Sequence, residues 1–306
     1  MFTPGRPNPL RAMAAMLAVA ACVAATTILA KAIGQGLFGP PLHPLQVSQG
    51  RFAFALAGLV LASAALRPRI VRPHWPLHLG RSACSWGGVT LMFAAVVHIP
   101  LSDATAITFL NPVIAMILAI PLLGERIGPW RWVAATISFA GAAILLRPGA
   151  GVIQPGALLA LGAAAVLGLE AIFVKRLSGR EAPLQILLLN NVIGLALASA
   201  AAAAVWRSPS PAQWAALAGI GLVMLGAQSL FIQALRAADA SFALPFFYTT
   251  LVFAAVYDAA IFGTLPDAVG FAGAGVILAG ALVLAWREGR GPARAAMLRP
   301  SGDSPS

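Results

Sequence analysis

A stretch that begins Asp103-Ala-Thr-Ala-Ile-Thr-Phe-Leu-Asn-Pro112 continues through Leu123-Gly124-Glu125 and an apolar run from Gly141 to Arg147. It is echoed about half the chain later by Asp239-Ala-Ser-Phe-Ala-Leu-Pro245, Phe262-Gly263-Thr264 and a run through Gly280 to Trp286. Asp103 pairs with Asp239 at one offset, while Gly124 and Gly141 pair with Gly263 and Gly280 at an offset three residues larger, so one small insertion reconciles the copies. Internal duplication inside long apolar runs restricts the chain to doubled membrane architectures, in which a solute site forms between the halves.

A spanning helix needs about 20 mostly apolar residues. Ten segments qualify, at 13–34, 46–66, 77–98, 103–122, 129–146, 155–175, 183–205, 213–235, 240–264 and 267–286. With 60% hydrophobic and 9% charged residues, the chain stands far from soluble domains, where about 25% of residues are charged. The expected fold is an all-α membrane protein of ten transmembrane helices. Five crossings end on the far side of the bilayer, so the second set of five enters in the opposite sense and the repeats are inverted. The expected organisation is a cytoplasmic N-terminal tail at 1–12, a first repeat at 13–147, a second at 155–288 and a disordered cytoplasmic tail at 289–306. The tail's Arg, Pro, Ser and Gly content supports the last assignment.

The net charge of +11 does not call for nucleic acid. With the N-terminus in the cytoplasm, sixteen basic residues, Arg81 among them, fall on inner loops and tails, against Lys31, Arg51, Arg147 and Arg207 outside. That is a positive-inside pattern. It predicts a multi-pass protein of the cytoplasmic (inner) membrane in contact with anionic lipid. Arg6 and Arg11 before an Ala-rich run imitate a signal peptide, but nine further spans favour a retained first helix. Cys22 and Cys84 both fall inside spans and read as small packing residues.

The run Leu101 to Pro112, followed by Leu122-Leu-Gly-Glu-Arg126 and Gly141 to Pro148, resembles the EamA-type branch of the drug/metabolite transporter superfamily. Supporting stretches are Pro44 to Arg51, Arg176 to Pro183 and Pro245-Phe-Phe-Tyr248, which extend the resemblance over roughly 10–288. It implies ten helices in two inverted repeats, both termini in the cytoplasm, and movement of small organic solutes, without naming one. Two positions depart from the family pattern. Thr264 stands where Glu is common after Phe-Gly, and Asp258 puts a carboxylate where a small residue is usual.

Proline removes a backbone hydrogen bond and clashes with the preceding turn, so Pro112 and Pro245 are expected to bend the fourth and ninth spans. In transporters such breaks often line the binding cavity, and proline is also tolerated in ordinary spans. Thr108 and Asn111 share a face that suits a cavity wall or interhelical hydrogen bonding. On the ninth span, Phe247, Leu251, Ala254 and Asp258 share a face, with Tyr248 beside it. Asn190 and Gln228 supply donors and acceptors, and Trp86 could stack a flat ring or simply pack. The expected substrate cavity is therefore Trp86, Thr108, Asn111, Asn190, Gln228, Phe247 and Tyr248.

An ionisable group within the membrane is rarely idle, since it costs about 2.5–3.5 kcal/mol at the bilayer centre. Glu170, Asp258 and Arg51 are thus the candidates for coupling or gating. Asp258 could bind protons, bind solute or pair with Lys31, Arg51 or His98, and Glu170 could pair with a basic residue at the inner interface. Asp103 and Asp239 are read as helix N-caps, and Glu125 with Arg126 as the cytoplasmic end of the fourth span. Small residues four apart, Ala134 with Ser138 and Gly270 with Ala274, suit packing against a neighbouring helix or a second copy in a homodimer. His74 and His78 have helical metal-ligand spacing but lack a nearby carboxylate in sequence, so neither a metal nor a cofactor is expected.

These features predict a secondary transporter for a small organic metabolite, with an aromatic or heterocyclic ring suggested by Trp86, Phe247 and Tyr248 and protons as the candidate coupling ion. The alternatives are an intramembrane enzyme acting on a lipid-linked substrate and a channel. An enzyme needs a nucleophile with a base or paired metal ligands, and no such catalytic cluster is written in the spans. No Gly-x-x-x-x-Gly-Lys-Ser/Thr loop occurs to couple transport to ATP.

Overall fold

The computed structural model describes residues 9–66, 71–124, 128–146, 154–178, 180–237, 243 and 246–297. The readings placed on Glu125, Arg126, Arg147, Asp239 and Pro245 lie outside the described residues, as does the tail beyond Met297, whereas residues 289–297, expected to be disordered, belong to the last helix. Among the described residues the chain is entirely helical: α1 (Pro9–Gly34), α2 (Pro44–Leu66), α3 (Trp75–His98), α4 (Leu101–Thr108), α5 (Asn111–Leu123), α6 (Pro129–Leu146), α7 (Pro155–Ser178), α8 (Pro183–Ala203), α9 (Pro211–Ala237), α10 (Thr250–Phe262) and α11 (Ala268–Met297). Six of these helices, α1, α2 and α6 to α9, open on proline, whose fixed φ suits the first turn and whose missing N–H would be an orphan there anyway.

Six spans are long and apolar enough to cross a membrane on their own, the joined pair α4–α5 counting as one at Leu101–Leu123. The remaining four are α3, α6, α10 and α11, which complete ten spans in two inverted sets of five. The packing carries the two-fold relation. Contact of α1 with α9 is answered by contact of α7 with α3, α2 with α9 by α8 with α3, and α1 with α10 by α7 with α5. The pairs α2–α8 and α6–α11 are each their own counterpart, and α4 also meets α10 across the repeat interface. Most of the packing among the described residues therefore lies between the halves.

The fourth span is interrupted by a two-residue turn at Phe109–Leu110. Phe109 caps α4 with φ −66° and ψ 0°, Leu110 precedes α5, and Pro112 falls in the first turn of the new helix, where it offers no N–H to the Thr108 carbonyl. The ninth span repeats this. A turn at Tyr248–Thr249 precedes α10, and Asn111 and Thr250, which start α5 and α10, stand at the same separation as Gly124 from Gly263. Both half-helices are 13 residues long and end on left-handed glycines, Gly124 at φ 69° and Gly263 at φ 66°, a conformation that only glycine adopts without strain.

The small residues of α6 are spent inside the chain. Ala134 and Ser138 are fully buried, and a Cβ added at Gly141 would meet the Ile277 amide of α11 at 2.7 Å. Gly270 takes the other role: its N–H donates to Asp267 Oδ1 at 2.8 Å, which makes Asp267 the N-terminal cap of α11. Asp103 is not a cap. It sits in the first turn of α4, whose N-cap is Pro100.

Candidate functional site

Between the halves lies a cavity of about 280 Å³, at the small end of the range for ligand pockets. Its first-half wall comes from Thr26 and Thr27 of α1, Arg51 of α2, Arg81 and Ser85 of α3, and Thr105, Thr108, Phe109 and Asn111 around the α4–α5 break. The second half supplies Glu170 of α7, Asn190 of α8, Gln228 of α9, Phe247 and Thr250. The two broken spans meet here directly. Phe109, at the first break, lies 5.9 Å from the Phe247 ring and 5.2 Å, edge-on, from Tyr248.

Close backbone approach sets these walls. A Cβ at Gly221 of α9 would stand 2.8 Å from the Ala55 amide and 2.9 Å from the Arg51 carbonyl, so only glycine lets α9 pack against α2 at Arg51. Gly168 of α7 does the same beside the Asn111 carbonyl, at 3.0 Å.

Most hydroxyls in the wall donate to their own helix and stay available as acceptors. Thr105 donates to the Leu101 carbonyl at 2.7 Å, Thr108 to Ala104 at 2.8 Å and Thr250 to Phe247 at 2.6 Å. The charged groups are differently placed. Arg81 Nη1 donates to the Ile186 carbonyl at 2.9 Å, and Nη2 lies 3.6 Å from Glu170 Oε1. Arg51 is buried, with its guanidinium 4.9 Å over the Phe52 ring, and its Nη1 has no hydrogen-bond partner. Arg81 Nε and Asn190 Oδ1 are also buried without a partner.

Asp258 lies outside this cavity, toward the end where α3 meets α4. It is 1% exposed and pairs with Lys31 Nζ, 3% exposed, at 2.5 Å. Its Oδ2 accepts the Leu101 N–H at 2.8 Å, so one carboxylate of α10 neutralises a lysine of α1 and satisfies the first amide of α4, where the helix dipole also favours negative charge. Lys31 further lies 4.8 Å over the Phe262 ring. Arg51 takes no part in this pair, and His98 is exposed.

A second polar knot ties the opposite end of α3 to the start of α8. Glu181 accepts the His74 amide at 2.9 Å, meets His78 Nε2 at 2.8 Å and accepts from Gln185 Nε2 at 2.7 Å. Gln185 brackets the Val71 backbone, accepting its N–H at 2.8 Å and donating to its carbonyl at 2.9 Å. Burial alone would push the Glu181 carboxyl up, but the His74 amide, His78 and Gln185 outweigh it and hold it below its ordinary 4.5. His74 and His78 thus serve a carboxylate 103 or more residues away in sequence.

Of the expected cavity residues, Thr108, Asn111, Asn190, Gln228 and Phe247 line the cavity, as do Arg51 and Glu170. Trp86 does not. The inward stripe of α3 is Arg81, Ser85, Val89 and Met92, and Trp86 is rotated off it by one helical step of about 100°. Tyr248 packs into the core beside Phe109 instead of facing the void. Ala254 is likewise fully buried core. Arg81, counted above with the inner loops, is a cavity group. Its signal was present in the sequence, since it lies within the third span at 77–98.

Residues 10–147 and 154–286 each match the EamA-like transporter family. Among curated proteins, the chain is 33% identical over 225 residues to a riboflavin transporter of Rhizobium johnstonii, covering 72% of this chain and 74% of that one. It is 27% identical over 251 residues to an S-adenosylmethionine uptake transporter of Rickettsia bellii, covering 82% and 86%, and 29% identical over 256 residues to a riboflavin transporter of Vibrio cholerae, covering 81% and 85%. A solved crystal structure matches with a TM-score of 0.62 at 18% identity, over 90% of this chain and 98% of its own, which is a likeness of fold.

Proposed function

The chain belongs to the EamA-like transporter family of the drug/metabolite transporter superfamily, a membrane transporter of small metabolites and not an enzyme, and on that footing we propose that it works by alternating access through the cavity between its repeats. The observation that carries this reading is the pairing of the breaks: Asn111 and Thr250, equivalent in the two repeats, both open a half-helix onto one cavity. Broken helices facing each other at a repeat interface can rock without unpacking either half. Riboflavin and S-adenosylmethionine, the solutes named for its relatives, are the first substrates to test.

In this conformation Lys31 and Asp258 close the outer side. Opening it separates α1 and α4 from α10, so the pair must break or be neutralised. Protons are the coupling ion to test first, with Asp258 the acid to replace. The reading places the protein in the cytoplasmic membrane with both termini inside. Setting aside the membrane-embedded Arg81, Arg51 and Lys31, fifteen inner basic residues face Arg147 and Arg207 outside, a stronger bias than the raw sequence suggests. Both cavity walls come from one chain, so a homodimer is not needed to complete the site. The test is counterflow: purified protein in liposomes loaded with unlabelled riboflavin or S-adenosylmethionine should transiently concentrate the labelled solute.

A further inference from the structure

We infer that the solute cavity is an organic-anion site, in which the Arg51 guanidinium receives a carboxylate or phosphate group while Phe109 and Phe247, at the two span breaks, hold an apolar body. The inference rests on the transporter reading and names the substrate class of that same cavity.

The charges decide it. Two guanidinium groups, Arg51 and Arg81, face the cavity against a single carboxylate, Glu170. Arginine stays protonated in proteins, so the ionised set carries an excess positive charge. Arg81 accounts for Glu170 geometrically, at 3.6 Å, and is further anchored on the Ile186 carbonyl. Arg51 is 8% exposed and leaves Nη1 with no acceptor. A buried charge lacking a full partner is costly, and most costly inside a membrane. A guanidinium fork matches carboxylate and phosphate geometry. An entering anion therefore gains what the empty cavity lacks, and an entering cation would face the same excess with opposite sign.

The neutral groups fit the rest of such a solute. Asn190 Oδ1 is buried and unpartnered, so it can accept one N–H or O–H. Phe109 and Phe247, at 5.9 Å from each other, present ring surface from both repeats to an apolar or aromatic body. The implied ligand is an acid on a compact ring-bearing frame that also carries one hydrogen-bond donor.

The test is a thermal-shift titration of the full-length protein in detergent with four probes of one frame: phenylacetate, phenyl phosphate, neutral 2-phenylethanol and cationic 2-phenylethylamine. Binding to the folded state raises the midpoint. One or both anions should bind tighter than the alcohol by about tenfold or more, the ratio one charge-assisted hydrogen bond supplies. The amine should be weakest. Phenylacetate alone would identify a carboxylate site, phenyl phosphate alone a phosphate site. Arg51→Gln should erase the anion preference, Arg51→Lys should keep part of it, and Glu170→Gln should strengthen it. Arg51→Lys also serves as the folding control, with monodispersity checked by size exclusion. Equal shifts with anion and alcohol, preference for the amine, no shift with either anion, or an anion ratio unchanged in Arg51→Gln would overturn the inference. The two readings fail separately. Counterflow of riboflavin without anion preference removes only the anion site, whereas anion binding without counterflow of any probe removes only transport.

Discussion

Lys31 Nζ and Asp258 Oδ1 stand 2.5 Å apart in the protein interior although 227 residues separate them in sequence. The pair joins the first helix to the ninth span, and the same carboxylate takes the Leu101 amide that begins the fourth. Three elements from both repeats thus converge on one acid at one end of the cavity.

Breaking a buried pair by removing one partner costs about 3–5 kcal/mol, because the other charge is left uncompensated. Lys31→Met should therefore lower the unfolding midpoint sharply, while Lys31→Met with Asp258→Leu should recover much of the loss. Solute flux separates a gate from a brace. The double variant should be as stable as its midpoint says and still fail to transport; normal flux in it would leave the pair as a brace only.

Asp258→Asn can still accept the Leu101 amide but cannot titrate. Proton-coupled net transport should fall at least about tenfold, and solute exchange should persist with its pH dependence gone. Measuring net uptake and exchange across a pH series decides this, and a wild-type pH profile in the variant would remove Asp258 from coupling.

Asn111→Trp and Thr250→Trp place bulk at the two equivalent openings of the half-helices. Both should abolish transport with normal membrane expression. Ala254→Trp serves as the contrast, because Ala254 is packed core; overpacking there costs about 1–3 kcal/mol or more and should reduce folded protein. Full transport by both cavity variants would move the pathway elsewhere.

Glu181 has a folded-state pKa below its ordinary 4.5, so its contribution is fully present above that value and is lost as pH falls through the folded one. Glu181→Gln should cost about 1.5–3 kcal/mol near neutrality. The gap in unfolding midpoint between wild type and variant should narrow steadily as the buffer is taken below pH 4.5. A gap independent of pH would mean the carboxylate's charge contributes nothing to the His74–His78–Gln185 knot.

The spans, their duplication and the acid in the ninth span were all legible in the sequence, because long apolar runs and an isolated Asp258 register without any knowledge of partners. Partners were less legible. Lys31 was one of three basic candidates for Asp258, and choosing among them needs the packing of α1 on α10. Arg81 was misplaced because a basic residue in the first turns of an inner-starting helix looks like a loop charge until α7 brings Glu170 beside it. Pro112 marked the fourth span for bending, but that the bend at Phe109–Leu110 faces Phe247 and Tyr248 of the other repeat is a tertiary contact that no local pattern encodes. Trp86 was misread for a related reason: the inward face of α3 is set by which neighbours it meets, and its own sequence carries polar residues on more than one face. The Glu181 knot was invisible since its members lie on separate loops and helix starts.

The most direct test of the account is counterflow in liposomes by the wild type and Thr250→Trp, with riboflavin, S-adenosylmethionine and the two phenyl anions as trapped solutes. Alternating access predicts that at least one labelled solute rises transiently above its equilibrium level in wild-type vesicles and that Thr250→Trp stays at the protein-free baseline. Equilibration without overshoot, or the same overshoot in both proteins, would contradict it.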